Sequence, residues 1–266
     1  MNRESARHRR FTIRCLTPSI ALTWGLAGLL LAAVPILATA QVRFGFGFRY
    51  RNAPYDGRVA LMRARYQAYP GWSYDYPAME NNLARVLHDI TSIRPNLEAA
   101  DILDFDDPKL FRYPLVYLSE PGYWYPTPTE AEGLRTYLQK GGFLIVDDFH
   151  YPNEWAVFEA AMRRVLPAAR IDRLDAMHSI YNMFFAIKSL DIPYPGMSGP
   201  NALKGEFFGI YQDNDPHKDL SVVINYNMDL GDYLEWSGDP GNRYSLVPTN
   251  EAYKFLINYV LYGLTH

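Results

Sequence analysis

The stretch from 113 to 149 constrains the fold more than any other part of the chain. Pro114-Leu115-Val116-Tyr117-Leu118 is a short apolar run, the pattern of a strand buried on both faces. Thr127-Pro128-Thr129-Glu130 reads as a capping box with proline at the first helical position. Leu134, Tyr137 and Leu138 give that helix one apolar face, and Gly141-Gly142 ends it. Phe143-Leu144-Ile145-Val146 is a second buried strand, and it closes in Asp147-Asp148. Strand, helix and strand at this spacing form a right-handed crossover, so the two strands are parallel.

The rest of the chain extends this unit. Val59 to Tyr66 is a strand candidate, and Leu83, Val86, Leu87 and Ile90 recur at helical spacing. A short strand is expected at Ile102-Leu103, a helix over Asn153 to Leu166 closed by Pro167, and a weaker strand near Ala169–Arg173. Glu206 to Tyr211 and Ser221 to Tyr226 are further strands, and a last helix starts at Thr249 and stops at Gly263. The expected fold is one α/β domain over 59–266, a doubly wound, mostly parallel sheet with helices on both faces, of flavodoxin-like type. Residues 41–58, with their Phe44-Gly45-Phe46-Gly47-Phe48 alternation, follow no strand and open no helix. They are expected to form a tether or edge strand rather than a phosphate loop, and no cofactor is implied.

Residues 1–40 have the pattern of an export signal. Arg3, Arg7, Arg9, Arg10 and Arg14 precede an apolar run from Ile20 to Leu37, and Ala38-Thr39-Ala40 offers small residues at a cleavage site before Gln41. The alternative is a retained membrane anchor, since the apolar run could just span a bilayer. Arg9-Arg10-Phe11 partly matches a twin-arginine signal, so the route is either Sec or twin-arginine export. The expected location is periplasmic or secreted, with no membrane span after cleavage. Losing five arginines and one glutamate takes the formal charge from −3 to −7. Such a balance argues against nucleic acid as a partner. The only cysteine, Cys15, leaves with the signal, which excludes disulfides, thiolate metal sites and a cysteine nucleophile from residues 41–266.

Several stretches taken together resemble a bacterial family, the domain of unknown function 4159. They are Arg65-Tyr66, Trp72, Asp75-Tyr76-Pro77, Tyr113 to Leu118, Glu130 to Tyr137, Gly141 to Leu144 with Asp147-Asp148, His178-Ser179-Ile180-Tyr181, and Asn227 to Gly231 with Glu235-Trp236. The resemblance spans roughly 59–264. It implies a class I glutamine-amidotransferase-like fold related to trehalose-utilisation (ThuA-like) domains. It also implies company with MoxR-type ATPase and von Willebrand-type membrane systems, and no established reaction.

In amidotransferases of that fold, the strand equivalent to Phe143–Val146 ends in an elbow with a cysteine between glycines. Here the corner reads Val146-Asp147-Asp148-Phe149-His150, with no cysteine, serine or flanking glycine. Acyl transfer from a covalent nucleophile is therefore not expected there, and Ser119 lacks the small neighbours an elbow needs. What stands at the corner is a carboxylate pair, at the strand end where parallel sheets bind ligands. Adjacent strand residues point to opposite faces, so the two need not share a site. Asp148 reads either as an acceptor for sugar hydroxyls or a hard cation, or as a cap for the next helix.

The candidate ligand-binding residues are Asp147, Asp148, His150, His178 and Asp229. The two histidines lack metal-ligand spacing, and no metal is assigned. Asp229 follows a buried strand and is expected beside Asp147. Asp213-Asn214-Asp215 lacks the glycine and distal glutamate of a calcium loop. The leading reading is an exported domain that binds a carbohydrate or envelope component, or a membrane-associated protein partner, at the carboxyl edge of its sheet. The alternatives are a carboxylate-dependent hydrolase of such material and a structural partner in an envelope assembly.

Overall fold

The computed structural model describes residue 52 and residues 54–266, apart from 68, 98, 99, 198, 239, 240 and 242. The export segment and most of the 41–58 stretch lie outside the described residues. Asn52 is described, and its side-chain amide bonds both the carbonyl (2.6 Å) and the N–H (2.9 Å) of Ile102, as a neighbouring strand would.

The described strands form one mixed seven-stranded sheet. They are β1 (Met62–Ala64), β2 (Asp101–Leu103), β3 (Leu115–Ser119), β4 (Phe143–Phe149), β5 (Asp172–Arg173), β6 (Glu206–Tyr211) and β7 (Leu220–Tyr226). Their spatial order is β2-β1-β3-β4-β7-β6-β5, and only β6 runs against the others. The link between β6 and β7, residues 212–219, is too short for the roughly twelve residues a parallel crossover needs, so the pair is an antiparallel hairpin. Asp213 and Asn214 take left-handed backbone in that link, and Lys218 Nζ bonds Asp213 at 2.6 Å.

Among the described residues, five α-helices cover the sheet: α1 (Ala78–Ile90), α2 (Pro128–Gln139), α3 (Tyr151–Val165), α4 (Leu230–Glu235) and α5 (Leu246–Thr265). Alternate side chains along β3 and β4 divide the core. Val116, Leu118, Leu144 and Val146 pack with α2 and α3, whereas Leu115, Tyr117, Phe143 and Ile145 pack with α1, α4 and α5. Each fully buried side chain of this size contributes about 1.5–3 kcal/mol.

The unit from 113 to 149 forms as its residues dictate. Leu115 to Ser119 run parallel to Phe143 to Asp147 in unbroken register. Thr127 Oγ1 accepts from the Glu130 N–H (3.2 Å), and Glu130 Oε2 accepts from the Thr127 N–H (2.8 Å). Gly141, at φ 90°, lets Gly142 and Gly141 donate to the Tyr137 and Leu138 carbonyls, which closes the helix.

The last helix differs from expectation at both ends. Gly263 lies inside α5 instead of ending it. A Cβ there would come within 2.3 Å of the Leu115 side chain, so this glycine permits close packing of the helix on the sheet. The same helix begins earlier than expected because Pro248 sits in its first turn, where no N–H is required.

Candidate functional site at the carboxyl edge of the sheet

The site begins with a charge inside a strand. Arg63 lies in β1 between Met62 and Ala64, and none of its surface is exposed. Its guanidinium holds Asp75 through two hydrogen bonds (2.6 and 3.0 Å), Glu80 at 2.7 Å and the Trp72 carbonyl at 2.8 Å. It also lies 4.7 Å from the centre of the Tyr117 ring. A buried guanidinium is tolerated only when satisfied in this way.

Tyr117, in β3, passes the network to β4. Its hydroxyl donates to Asp147 Oδ2 at 2.5 Å, and the same oxygen accepts from the N–H groups of Leu230 (2.7 Å) and Gly231 (3.1 Å). Burial pushes the Asp147 carboxyl up to about 6, although these donors pull the other way. Oδ1 of Asp147 and Nδ2 of Asn225 have no hydrogen-bond partner among the described residues. Asp147 thus ties α4 to the sheet from inside the core.

Asp148 faces elsewhere because the strand breaks there. Val146 pairs with Ile224 and Phe149 with Tyr226, so β4 carries one extra residue, a bulge. Asp148 takes that place with φ 62°, and its Oδ2 accepts from Ser119 Oγ at 3.0 Å. Desolvation and the neighbouring Glu120, Asp75 and Asp147 hold its carboxyl well above the usual range. The helix-cap reading of Asp148 is not what forms. His150 occupies the N-cap of α3, and its N–H donates to Glu154 Oε2 at 2.7 Å. The serine hydroxyl at 119 serves Asp148, away from any elbow.

Glu120, at the end of β3, has φ 53°. Burial, followed by Glu154 and Asp75, raises its carboxyl to about 7. Asp229 caps α4 by accepting from the Asp232 N–H at 2.8 Å. Its carboxyl is held well above the usual range by desolvation and by Asp148, Asp232, Asp147 and Asp75. Glu235 is raised to about 7 by burial, with Asp75 and Asp232 adding to it. Glu120, Asp148, Tyr151 and Asn227 all take left-handed backbone, and all stand at the carboxyl ends of β3, β4 and β7. Such conformations each cost about 1–3 kcal/mol and collect at functional sites.

Tyrosines surround these acids. Tyr69 and Tyr123 lie 4.3 Å apart between ring centres, and both feel the charge of Glu120. Tyr194 is raised by burial and by Asp229, Asp148 and Glu120, so it stands over the same ground. Its hydroxyl is 3.4 Å from His150 Nδ1, and the Tyr151 ring lies 4.5 Å from the His150 ring.

Four of the five sequence-predicted residues therefore gather at one edge: Asp147, Asp148, His150 and Asp229. His178 does not join them. Its Nδ1 accepts from the Ile180 N–H at 3.2 Å, and its ring lies among Tyr181, Tyr211 and Tyr262. Tyr211 ends the reversed strand β6, and the Tyr262 hydroxyl binds the N–H of Leu220 at the start of β7. That is the amino edge of the parallel strands, opposite the acids. Burial lowers the His178 value, with Asp175 opposing. Its neighbours in sequence gave no sign of this, because Tyr211 and Tyr262, which flank its ring, come from segments much further along the chain.

Arg63, Asp75, Glu120 and Glu154 were not among the predicted residues. Arg63 and Glu120 had a legible signal, one as a charge inside an apolar strand and the other as a charge directly after a buried one. Among the described residues, no group of three histidine, cysteine or carboxylate side chains is arranged to hold a metal ion. Among them, too, no helix is long and apolar enough to cross a membrane.

No curated protein matches the chain. The family described as domain of unknown function (DUF4159) matches residues 60–264, so the matched region takes in every strand and helix of the sheet and all the acids of this edge. The chain belongs to the DUF4159 family.

Proposed function

We propose that the carboxyl edge of the sheet binds a neutral, hydroxyl-rich ligand of the carbohydrate class, within a protein exported to the cell envelope. One observation carries this reading. Half-buried Glu120, Asp148 and Asp229 converge at strand ends held in strained backbone, next to Tyr69, Tyr123, Tyr151 and Tyr194. Carboxyl groups, protonated or not, hydrogen-bond to hydroxyl groups, and tyrosine rings offer an apolar face with a polar tip. The export part of the proposal rests on the basic, apolar and small-residue order of residues 1–40.

Our reading of the fold as doubly wound and amidotransferase-like rests on the parallel order β2-β1-β3-β4-β7 and on helices against both faces. A second reading, hydrolysis, is favoured by Glu120, a carboxyl near 7 beside Glu154. Two carboxyl groups held side by side are what acid–base cleavage of a glycosidic bond uses.

The test is a thermal-shift series of residues 41–266 against oligosaccharides and peptidoglycan fragments, with product analysis of each mixture. A bound sugar should raise the melting temperature. Cleavage products would select the hydrolase reading. No shift with any sugar, and no products, would count against both.

A further inference from the structure

A group of tyrosines continues the edge beyond the acids, over the ends of β1 and β3. Tyr69 and Tyr74 flank the short turn after β1, and Tyr123 ends the turn after β3, the strand paired with it. The Tyr69 ring lies 4.3 Å from Tyr123 and 6.0 Å from Tyr74, measured between ring centres. Tyr69 is the half-buried middle member. Tyr74 and Tyr123 remain 66% and 39% exposed, so their outer surfaces meet water.

The group is fixed in place. Arg63 grips the turn on both sides of Tyr74, donating to the Trp72 carbonyl at 2.8 Å and to Asp75 through two bonds. The Tyr66 hydroxyl donates to the Glu120 carbonyl at 2.6 Å, which ties the loop after β1 to the turn that carries Tyr123. Gly71 leaves room for the Tyr69 ring, since a Cβ there would come within 2.0 Å of it. An aromatic surface ordered in advance spares a ligand the entropy of ordering it. Its inner side adjoins the acids. Burial and then Glu120 raise the Tyr69 hydroxyl to about 12, and Glu154, burial and Glu120 raise that of Tyr123.

We propose, resting on the carbohydrate reading above, that the ligand of this edge is an extended glycan chain. One unit lies at Glu120 and Asp148, and later units lie against the exposed Tyr123 and Tyr74 rings. A single sugar at the acids would leave those rings in water. A pyranose unit presents a flat C–H face with hydroxyls at its rim, the complement of a tyrosine ring with its polar tip. The exposed parts of Tyr74 and Tyr123 come to no more than about 300 Å2. That suits one or two sugar units and falls short of the roughly 800 Å2 a side that a stable protein interface takes.

The experiment is isothermal titration calorimetry of the full chain with N-acetylglucosamine and chitotetraose, and with glucose and cellotetraose. In at least one pair the tetramer should bind about tenfold more tightly than its monomer. Tyr74→Ala should remove most of that advantage. Monomer affinity and the melting temperature should stay level in this variant, because the Tyr74 ring is mostly in water. Tyr74→Phe, which keeps the ring, should retain the advantage. A tetramer that binds no more tightly than its monomer, or an advantage that survives Tyr74→Ala, overturns the proposal and leaves the carbohydrate reading standing. If none of the four sugars binds, the carbohydrate reading fails and the extended chain fails with it.

Discussion

The Tyr117 hydroxyl donates to Asp147 Oδ2 across 2.5 Å, joining two adjacent parallel strands beneath the carboxyl edge. On one side Tyr117 stacks under Arg63, and on the other Asp147 receives the first N–H groups of α4. This single contact therefore links the ion network of β1 to the helix that carries Asp229. It makes the edge a connected structure whose parts respond together.

Arg63 is the first place to test that connection. Arg63→Met would leave Asp75 and Glu80 buried without their cation. Removing one partner of a buried pair costs about 3–5 kcal/mol. Urea unfolding should show a loss of that size, and a change under 1 kcal/mol would show the network to be dispensable.

Gly231 tests the packing of the same edge. A Cβ at this position would come within 2.8 Å of both Asp75 Oδ2 and the Tyr117 hydroxyl. Gly231→Ala should therefore destabilise the chain by about 1–3 kcal/mol and displace α4. Near-wild-type stability would mean that the acids have room to move apart.

The acids give stability a definite pH dependence. Asp147 is raised to about 6, and Glu80, Glu120 and Glu235 to about 7. In the unfolded chain such groups lose their protons near pH 4. Between these limits the folded state holds more protons, so its stability falls as pH rises from about 4 to about 7. Asp148 and Asp229, also raised, act in the same sense, and His178, lowered by burial, works against these six groups. The melting temperature should be higher at pH 5 than at pH 8, and the reverse order would refute the assignment.

Asp148→Asn separates binding from folding. Asp148 caps no helix, and its desolvated carboxyl is held among other acids. Neutral asparagine relieves that repulsion, so the melting temperature should stay level or rise. Binding of the sugar ligand should weaken about threefold to tenfold, because the amide keeps only one of the carboxyl's two acceptor oxygens. Intact binding would remove Asp148 from the site.

Glutamine should not be a substrate. Residues 41–266 contain no cysteine, and the carboxyl end of β4 carries Asp147-Asp148 with no cysteine or serine beside them. Purified protein of that span should release no ammonia from glutamine and be indifferent to thiol-alkylating reagents. Measurable ammonia would contradict this.

Local patterns by themselves determined much of this protein. The capping box at Thr127, the Gly141 stop and the two apolar runs were enough to place β3 and β4 in parallel with α2 as their crossover, because each signal depends on neighbours within a few residues. The strand-end rule then brought Asp147, Asp148 and Asp229 to one edge. Tertiary structure decided the rest. The bulge that turns Asp148 away from Asp147 arises from the pairing of β4 with β7, whose residues lie some 80 positions apart in sequence. Packing against Tyr211 and Tyr262 set His178 at the far edge, and Arg63 gained its meaning only when Asp75, Glu80 and Tyr117 closed around it. Helix caps and strand runs are written in short-range chemistry, whereas a bulge, an ion network and an edge are contacts between segments that meet only after the chain has folded.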